Sequence, residues 1–100
     1  MKVAWSEAAK RDLRRIAAYS IDRWGERVAE DYVARVLDRV QDISIEPEAR
    51  AVFRKTYRKA VIGSHYLIYT YQPENARVLV IRILHQSMDL GRHLLDPDEA

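Results

Sequence analysis

The chain of 100 residues contains no cysteine. Disulfides, cysteine-ligated zinc, iron–sulfur clusters and thiol catalysis are thereby excluded, and the composition suits a reducing compartment. Glycine is almost as scarce. The three present, Gly25, Gly63 and Gly91, are too scattered to cradle a phosphate in a glycine-rich loop. The histidines are His65, His85 and His93, and no pair stands at helical i and i+4 spacing, so neither a metal nor a cofactor is expected. Long apolar runs are missing too. The longest stretch without a formal charge, Ala60 to Pro73, is 14 residues and includes Gly63, Ser64, His65 and Gln72. A membrane span needs about 20 apolar residues. At the N-terminus, Met1 to Trp5 runs into a charged helical pattern without the apolar core of an export signal, so a soluble, cytoplasmic protein with no membrane partner is expected.

What remains is 48% hydrophobic and 32% charged, enough for one globular domain over residues 1–100. The short, β-prone Lys2–Trp5 stops at Ser6, a residue that accepts hydrogen bonds from free N–H groups at a helix start. Beyond it Leu13, Ile16, Ala17, Ser20 and Trp24 recur at helical spacing, while Lys10, Arg11, Arg14, Arg15 and Arg23 take the other face. The first helix is thus expected over 7–24, with Trp5 and Trp24 as core anchors. After Gly25 a second amphipathic run follows, Val28, Tyr32, Val36, Val40 and Ile43, widened by Ala29, Val33 and Leu37, and it should end before Pro47. The second half reads as three strands: Val52 to Lys59, Tyr66 to Tyr71 and Val78 to Leu84. Gly63-Ser64 and Gln72-Pro73-Glu74-Asn75 mark the turns between them, and Asp89 to Leu95 reads as a helical turn or an irregular tail before a polar end at Asp96 to Ala100. The expected fold is α+β in the order β-α-α-β-β-β, a small antiparallel sheet with a helical hairpin packed on one face and Leu13, Ile16, Val36 and Leu84 in the core.

Net charge is only +2, but it is unevenly distributed. Between Glu48 and Glu74 there is no acid, whereas Arg50, Arg54, Lys55, Arg58 and Lys59 give that segment +5; the rest carries 12 basic and 15 acidic residues, or −3. The segment is either a recognition surface for phosphate or an acidic protein, or a solvated sheet edge protected by cations. Arg54 and Arg58, read on a single strand, would share one of its sides. His65 and His85 are equidistant from Asn75, so a hairpin centred there sets them opposite each other. Such a pair, with Arg54, Arg58 or Arg82 nearby, has the groups for metal-free RNA cleavage; equally, strand-end histidines satisfy turn carbonyls. Tyr66, Tyr69 and Tyr71 fit a core better than a base-stacking platform.

The run Trp5-Ser6-Glu7-Ala8-Ala9, Asp12-Leu13, Ile16 and Tyr19, then Gly25 to Tyr32, resembles the RelE/ParE superfamily of bacterial toxins across almost the whole chain. The closing Val80-Ile81-Arg82-Ile83-Leu84-His85, Asp89-Leu90 and His93-Leu94 is similar to the ParE branch. The resemblance implies the toxin half of a type II toxin–antitoxin module, neutralised in a hetero-oligomer by a small ParD-like antitoxin, and directed at DNA gyrase with no catalysis of its own and no required nucleic-acid contact. RelE-branch toxins instead cleave ribosome-bound mRNA with basic sheet residues and a C-terminal tyrosine, or glutamate and histidine. Here no tyrosine follows Tyr71 and no glutamate lies between Ala49 and Pro73. Arg54, Lys55, Arg58, Arg82 and His85 take the equivalent positions of that nuclease face, keeping an mRNA endonuclease as the alternative beside a non-toxic interaction domain. The antitoxin is expected on apolar surface that hairpin and sheet leave uncovered.

Overall fold

Ser6 starts the first helix as its spacing predicts: its hydroxyl accepts the Ala9 N–H at 2.9 Å. In the computed structural model, which describes residues 1–88 and 90–94, the order is β1 (Lys2–Trp5), α1 (Glu7–Trp24), α2 (Glu26–Ile45), β2 (Val52–Arg54), β3 (Tyr57–Ile62), β4 (His65–Gln72), β5 (Arg77–His85) and α3 (Leu90–His93). The five strands form one sheet in the order β1-β5-β4-β3-β2. All neighbours pair antiparallel except β1, which lies parallel to β5 with Lys2 opposite Arg77 and Trp5 opposite Val80. The sheet is therefore mixed: the helical hairpin carries the chain from β1 to β2 at the opposite edge, and the antiparallel meander β2-β3-β4-β5 then works back until β5 lies beside β1, running the same way.

Gly25 alone joins the helices. With φ at +92° its N–H closes α1 on the Ile21 carbonyl at 2.9 Å, and its own carbonyl accepts the Ala29 N–H at 3.2 Å. Gly63 is constrained twice over: its φ is +53°, and a Cβ there would meet Tyr32 Cε1 at 2.9 Å. The turn between β4 and β5 is a tight Pro73–Asn75 helical turn closed by Ala76 in the left-handed region.

Two expectations are corrected. Val52 to Lys59 is not one strand but a hairpin, reversed at Lys55 with φ at +51° so that Arg54 pairs with Tyr57 and Val52 with Arg58. No glycine, proline or asparagine announces that turn, and a lysine accepts the left-handed conformation at modest cost. Arg54 and Arg58 consequently stand on two strands, not on one side of a single strand. Trp24 is not a core anchor: it lies at the helix end, 57% exposed, with Val28 at 46% and Leu37 at 49% beside the buried stripe they were expected to join.

The core has two parts. Between the helices and the sheet, Val36, Val40, Ile43, Leu67, Tyr69, Val78, Val80 and Ile83 are buried, with Trp5, Leu13, Ile16, Tyr32 and Tyr71 partly buried against them. On the opposite face Ile68, Leu84 and Leu94 form a smaller cluster with Tyr57, Tyr66, Ile81 and Leu90. Leu84 is thus core, but on the face away from the helices. The expected tail turn exists at Leu90–His93, while Asp89 and residues 95–100 lie outside the described residues.

A bulge in β5 links the fold to its first helix. Ile68 faces Arg82 but Tyr69 faces Val80, so Ile81 is the extra residue, and β5 changes course where β1 ends. The start of α1 covers that edge. Ser6 N–H reaches the Val80 carbonyl at 2.9 Å, Ser6 Oγ donates to the Ile81 carbonyl at 2.6 Å, and the Ile83 N–H donates to Asp12 Oδ2 at 2.9 Å. Ser6 and the Asp12 side chain therefore satisfy backbone groups that a longer β1 would have paired.

Candidate functional site

The far end of the same hairpin is open. Ile16, Tyr19, Trp24 and Val28 from the helices face His65, His85, Ser64 and Met88 from the sheet's end across a groove of about 620 Å³, with Arg15, Ser20 and Tyr32 completing it. The sequence dictates this opening. The helical hairpin outruns the strands here, so residues in phase with the buried stripe have no sheet beneath them, and Tyr19 (58%) and Trp24 (57%) stay exposed. They meet edge to face at 5.8 Å, and the Arg23 guanidinium lies 5.9 Å from each ring.

At the groove's floor the two histidines face each other as their distance from Asn75 predicts: His65 pairs with His85, rings nearly perpendicular and 5.4 Å apart. Their hydrogen bonds differ. The Tyr32 hydroxyl donates to the Ile62 carbonyl at 2.7 Å, so its lone pair accepts from His65 Nδ1 at 2.7 Å, which places the neutral ring's proton on Nδ1. At His85 the Ser87 N–H donates to Nδ1 at 3.1 Å, and the Ser87 hydroxyl lies 2.7 Å from the same atom, which places the proton on Nε2. Among the described residues neither Nε2 has a hydrogen-bond partner, so His65 presents an acceptor and His85 a donor. Burial, and next the neighbouring His85, hold His65 below the ordinary imidazole range. Burial pushes the Tyr32 phenol up against the opposing pull of Arg35, whose guanidinium lies 5.5 Å from the ring.

The candidate cations are elsewhere. Arg82 donates from Nε to Asp12 Oδ2 at 2.7 Å and from Nη2 to Oδ1 at 3.0 Å, a two-pronged pair with a carboxylate side chain only 7% exposed. That bond, outweighing burial, raises the guanidinium pKa further. Arg58 donates to the carbonyls of Glu48 and Arg50, pinning the loop after α2. Lys59 sits over the rings of Phe53 (4.9 Å) and Tyr66 (4.7 Å). Arg54 ends β2, Lys55 makes the turn, and both interact within the chain. Arg58 pairs with Tyr69, four residues along β4 from His65, or about 13 Å by strand rise. The structure therefore unites the two histidines but leaves the basic residues of β2 and β3 away from them. Among the described residues no group of three histidines, acids or cysteines forms a metal site.

The residues missed from sequence are Tyr32, Asp12 and the rim of Tyr19, Trp24 and Met88. Tyr32 sits in the apolar stripe that periodicity assigns to packing alone, and Asp12 beside the stripe of the first helix. The available signal was an aspartate set among Arg11, Arg14 and Arg15 in α1.

This architecture is found in solved toxin structures. The chain is similar to one from the chromosomal ParDE TA system of P. aeruginosa, with a TM-score of 0.74 at 16% identity over 85% of this chain and 95% of that one. It is similar also to a chain of the toxin–antitoxin complex RelBE2 of Mycobacterium tuberculosis, with a TM-score of 0.60 at 24% identity over 84% and 95%. At such identities the likeness is one of fold. Sequence goes further: residues 3–90 match the family model described as the ParE toxin of type II toxin–antitoxin system, parDE. Toxin ParE1 of Caulobacter vibrioides is 37% identical over 92 residues, covering 89% of this chain and 93% of the relative. The chain belongs to the ParE toxins of type II toxin–antitoxin systems.

Proposed function

We propose that the protein is the toxin of a two-component module, neutralised in a hetero-oligomer by a ParD-like antitoxin, and that it inhibits DNA gyrase in the cytoplasm by occupying it rather than by catalysis. One observation carries this reading: Arg82, the cation nearest His85 along β5, is committed to the buried carboxylate of Asp12. A phosphoryl transition state at the histidines would need that charge, and withdrawing it would leave Asp12 buried and unpaired. The groove supports the same reading from the other side. Its rim is aromatic and aliphatic, the composition of a protein-binding hot spot, and it offers an antitoxin segment a seat. The relatives' names, and the toxin–antitoxin systems among the structural neighbours, support the toxin-and-antitoxin part of this reading. No helix of the described residues is long and apolar enough to cross a membrane.

The opposed histidines, one presenting an acceptor and one a donor, favour a second reading, RelE-type cleavage of ribosome-bound mRNA. Purified toxin decides between them. Added to gyrase and relaxed plasmid it should block supercoiling, and the antitoxin should restore it. Added to translating ribosomes it should leave mRNA ends unchanged. Codon-specific cuts that vanish in His85→Ala would establish the second reading, and unimpaired growth on induction without the antitoxin would leave only an interaction domain.

A further inference from the structure

We infer that the outer face of α1 binds the phosphate backbone of duplex DNA. Arg11, Arg14 and Arg15 recur at three- and four-residue spacing and are exposed around a shallow depression whose remaining wall is Ala18. The nearby acids are already engaged: Asp12 is buried on Arg82, and Glu7 meets Lys10 at 3.2 Å. The next acid along the helix, Asp22, is about two turns further on. Among the described residues, none of the three guanidiniums has an ion-pair or hydrogen-bond partner.

The chemistry of the patch selects its partner. Protein interfaces centre on an apolar or aromatic anchor, and this depression has none, whereas the groove at the hairpin's end has several. Guanidinium forks match phosphate oxygens in pairs, and backbone recognition needs neither anchor nor pocket. The cations of β2 and β3 are poorer candidates, since Arg58 is held by carbonyls and Lys59 by two rings. The choice of duplex DNA rests on the gyrase reading: a protein bound to gyrase lies beside the DNA that gyrase holds, and α1 would then touch the backbone.

The test is anisotropy of a fluorescent 30-base-pair duplex titrated with the full-length toxin at 50 and 200 mM salt. Three phosphate contacts predict that affinity falls about 40-fold between those salts, and Arg11→Gln/Arg14→Gln should flatten the log–log salt slope by about 2. Unchanged melting of the double variant shows that its fold is intact. No binding at 50 mM salt, or an unchanged slope, overturns the inference. So does a variant that leaves DNA binding alone but slows association with the antitoxin, which would assign the face to an acidic protein. Supercoiling assays run in parallel separate the two claims. Inhibition without DNA binding overturns this surface and leaves the proposed function standing; DNA binding without inhibition does the reverse.

Discussion

The two ends of the helical hairpin treat their polar groups in opposite ways. Where α1 begins, Asp12 and Arg82 close on each other, Ser6 and Asp12 close on the backbone of β5, and Asp12 alone accepts from Arg82 Nε, Arg82 Nη2 and the Ile83 N–H. Where α1 ends, Tyr32 and Ser87 each engage one nitrogen of a histidine, and among the described residues nothing engages either Nε2 beneath an exposed aromatic rim. A saturated network fixes geometry, and an unsaturated one beside exposed apolar surface is ready to bind. The seam at the start of α1 is therefore structural and the groove recognitive.

The largest effect should come from breaking the seam. Asp12→Ala leaves Arg82 without its partner and Ile83 N–H without an acceptor, so it should cost about 3–5 kcal/mol in denaturant unfolding, much of a total of about 5–15 kcal/mol. A loss under about 1 kcal/mol would show that solvent replaces the carboxylate and that the seam is not what orders α1. The apolar core supplies a reference of similar size: Leu67→Ala, at a fully buried position, should cost about 2–5 kcal/mol, and half-buried Leu13→Ala should fall at or below the lower end. Equal losses for the two would misplace the buried face of α1.

Tyr69 sharpens the comparison within the core. Among the described residues its buried hydroxyl has no hydrogen-bond partner, so Tyr69→Phe should be neutral or stabilise by up to about 1 kcal/mol in thermal melts. A clear loss would reveal an internal water bound there. The smallest effect concerns His65. Its pKa is lowered on folding, so the folded state prefers the neutral ring; the stability this ring contributes is complete above about pH 6.5 and is lost as pH falls through the folded value. Melting temperature should therefore decline on acidification, and His65→Gln should reduce that slope. A variant whose melting temperature falls with acid as steeply as the wild type's would assign the decline to other groups.

The hairpin, the meander and the facing histidines were legible in the sequence, because each rests on a local signal: the serine cap, periods of 3.6 and 2, and residues equidistant from a turn. The split between β2 and β3 was not, since their turn is made by Lys55 in the left-handed region without the usual residues. Nor was the parallel placement of β1, a matter of how the crossover returns. The site divided in the same way. Charge counting found the cations of β2 and β3 but not their engagement with carbonyls and rings, which depends on the loop after α2. Periodicity assigned Trp24 to the core because a helical wheel carries no information about where the sheet beneath it stops.

Whether the groove is the recognitive end is tested most directly by Trp24→Ala, with antitoxin affinity measured by calorimetric titration and stability by melting on the same preparation. Truncating an exposed aromatic anchor should weaken the complex at least 10-fold, about 1.4 kcal/mol, while shifting the melting temperature by no more than about two degrees. Unchanged affinity, with or without a loss of stability, would contradict the account, since the aromatic rim would then serve the fold or nothing at all.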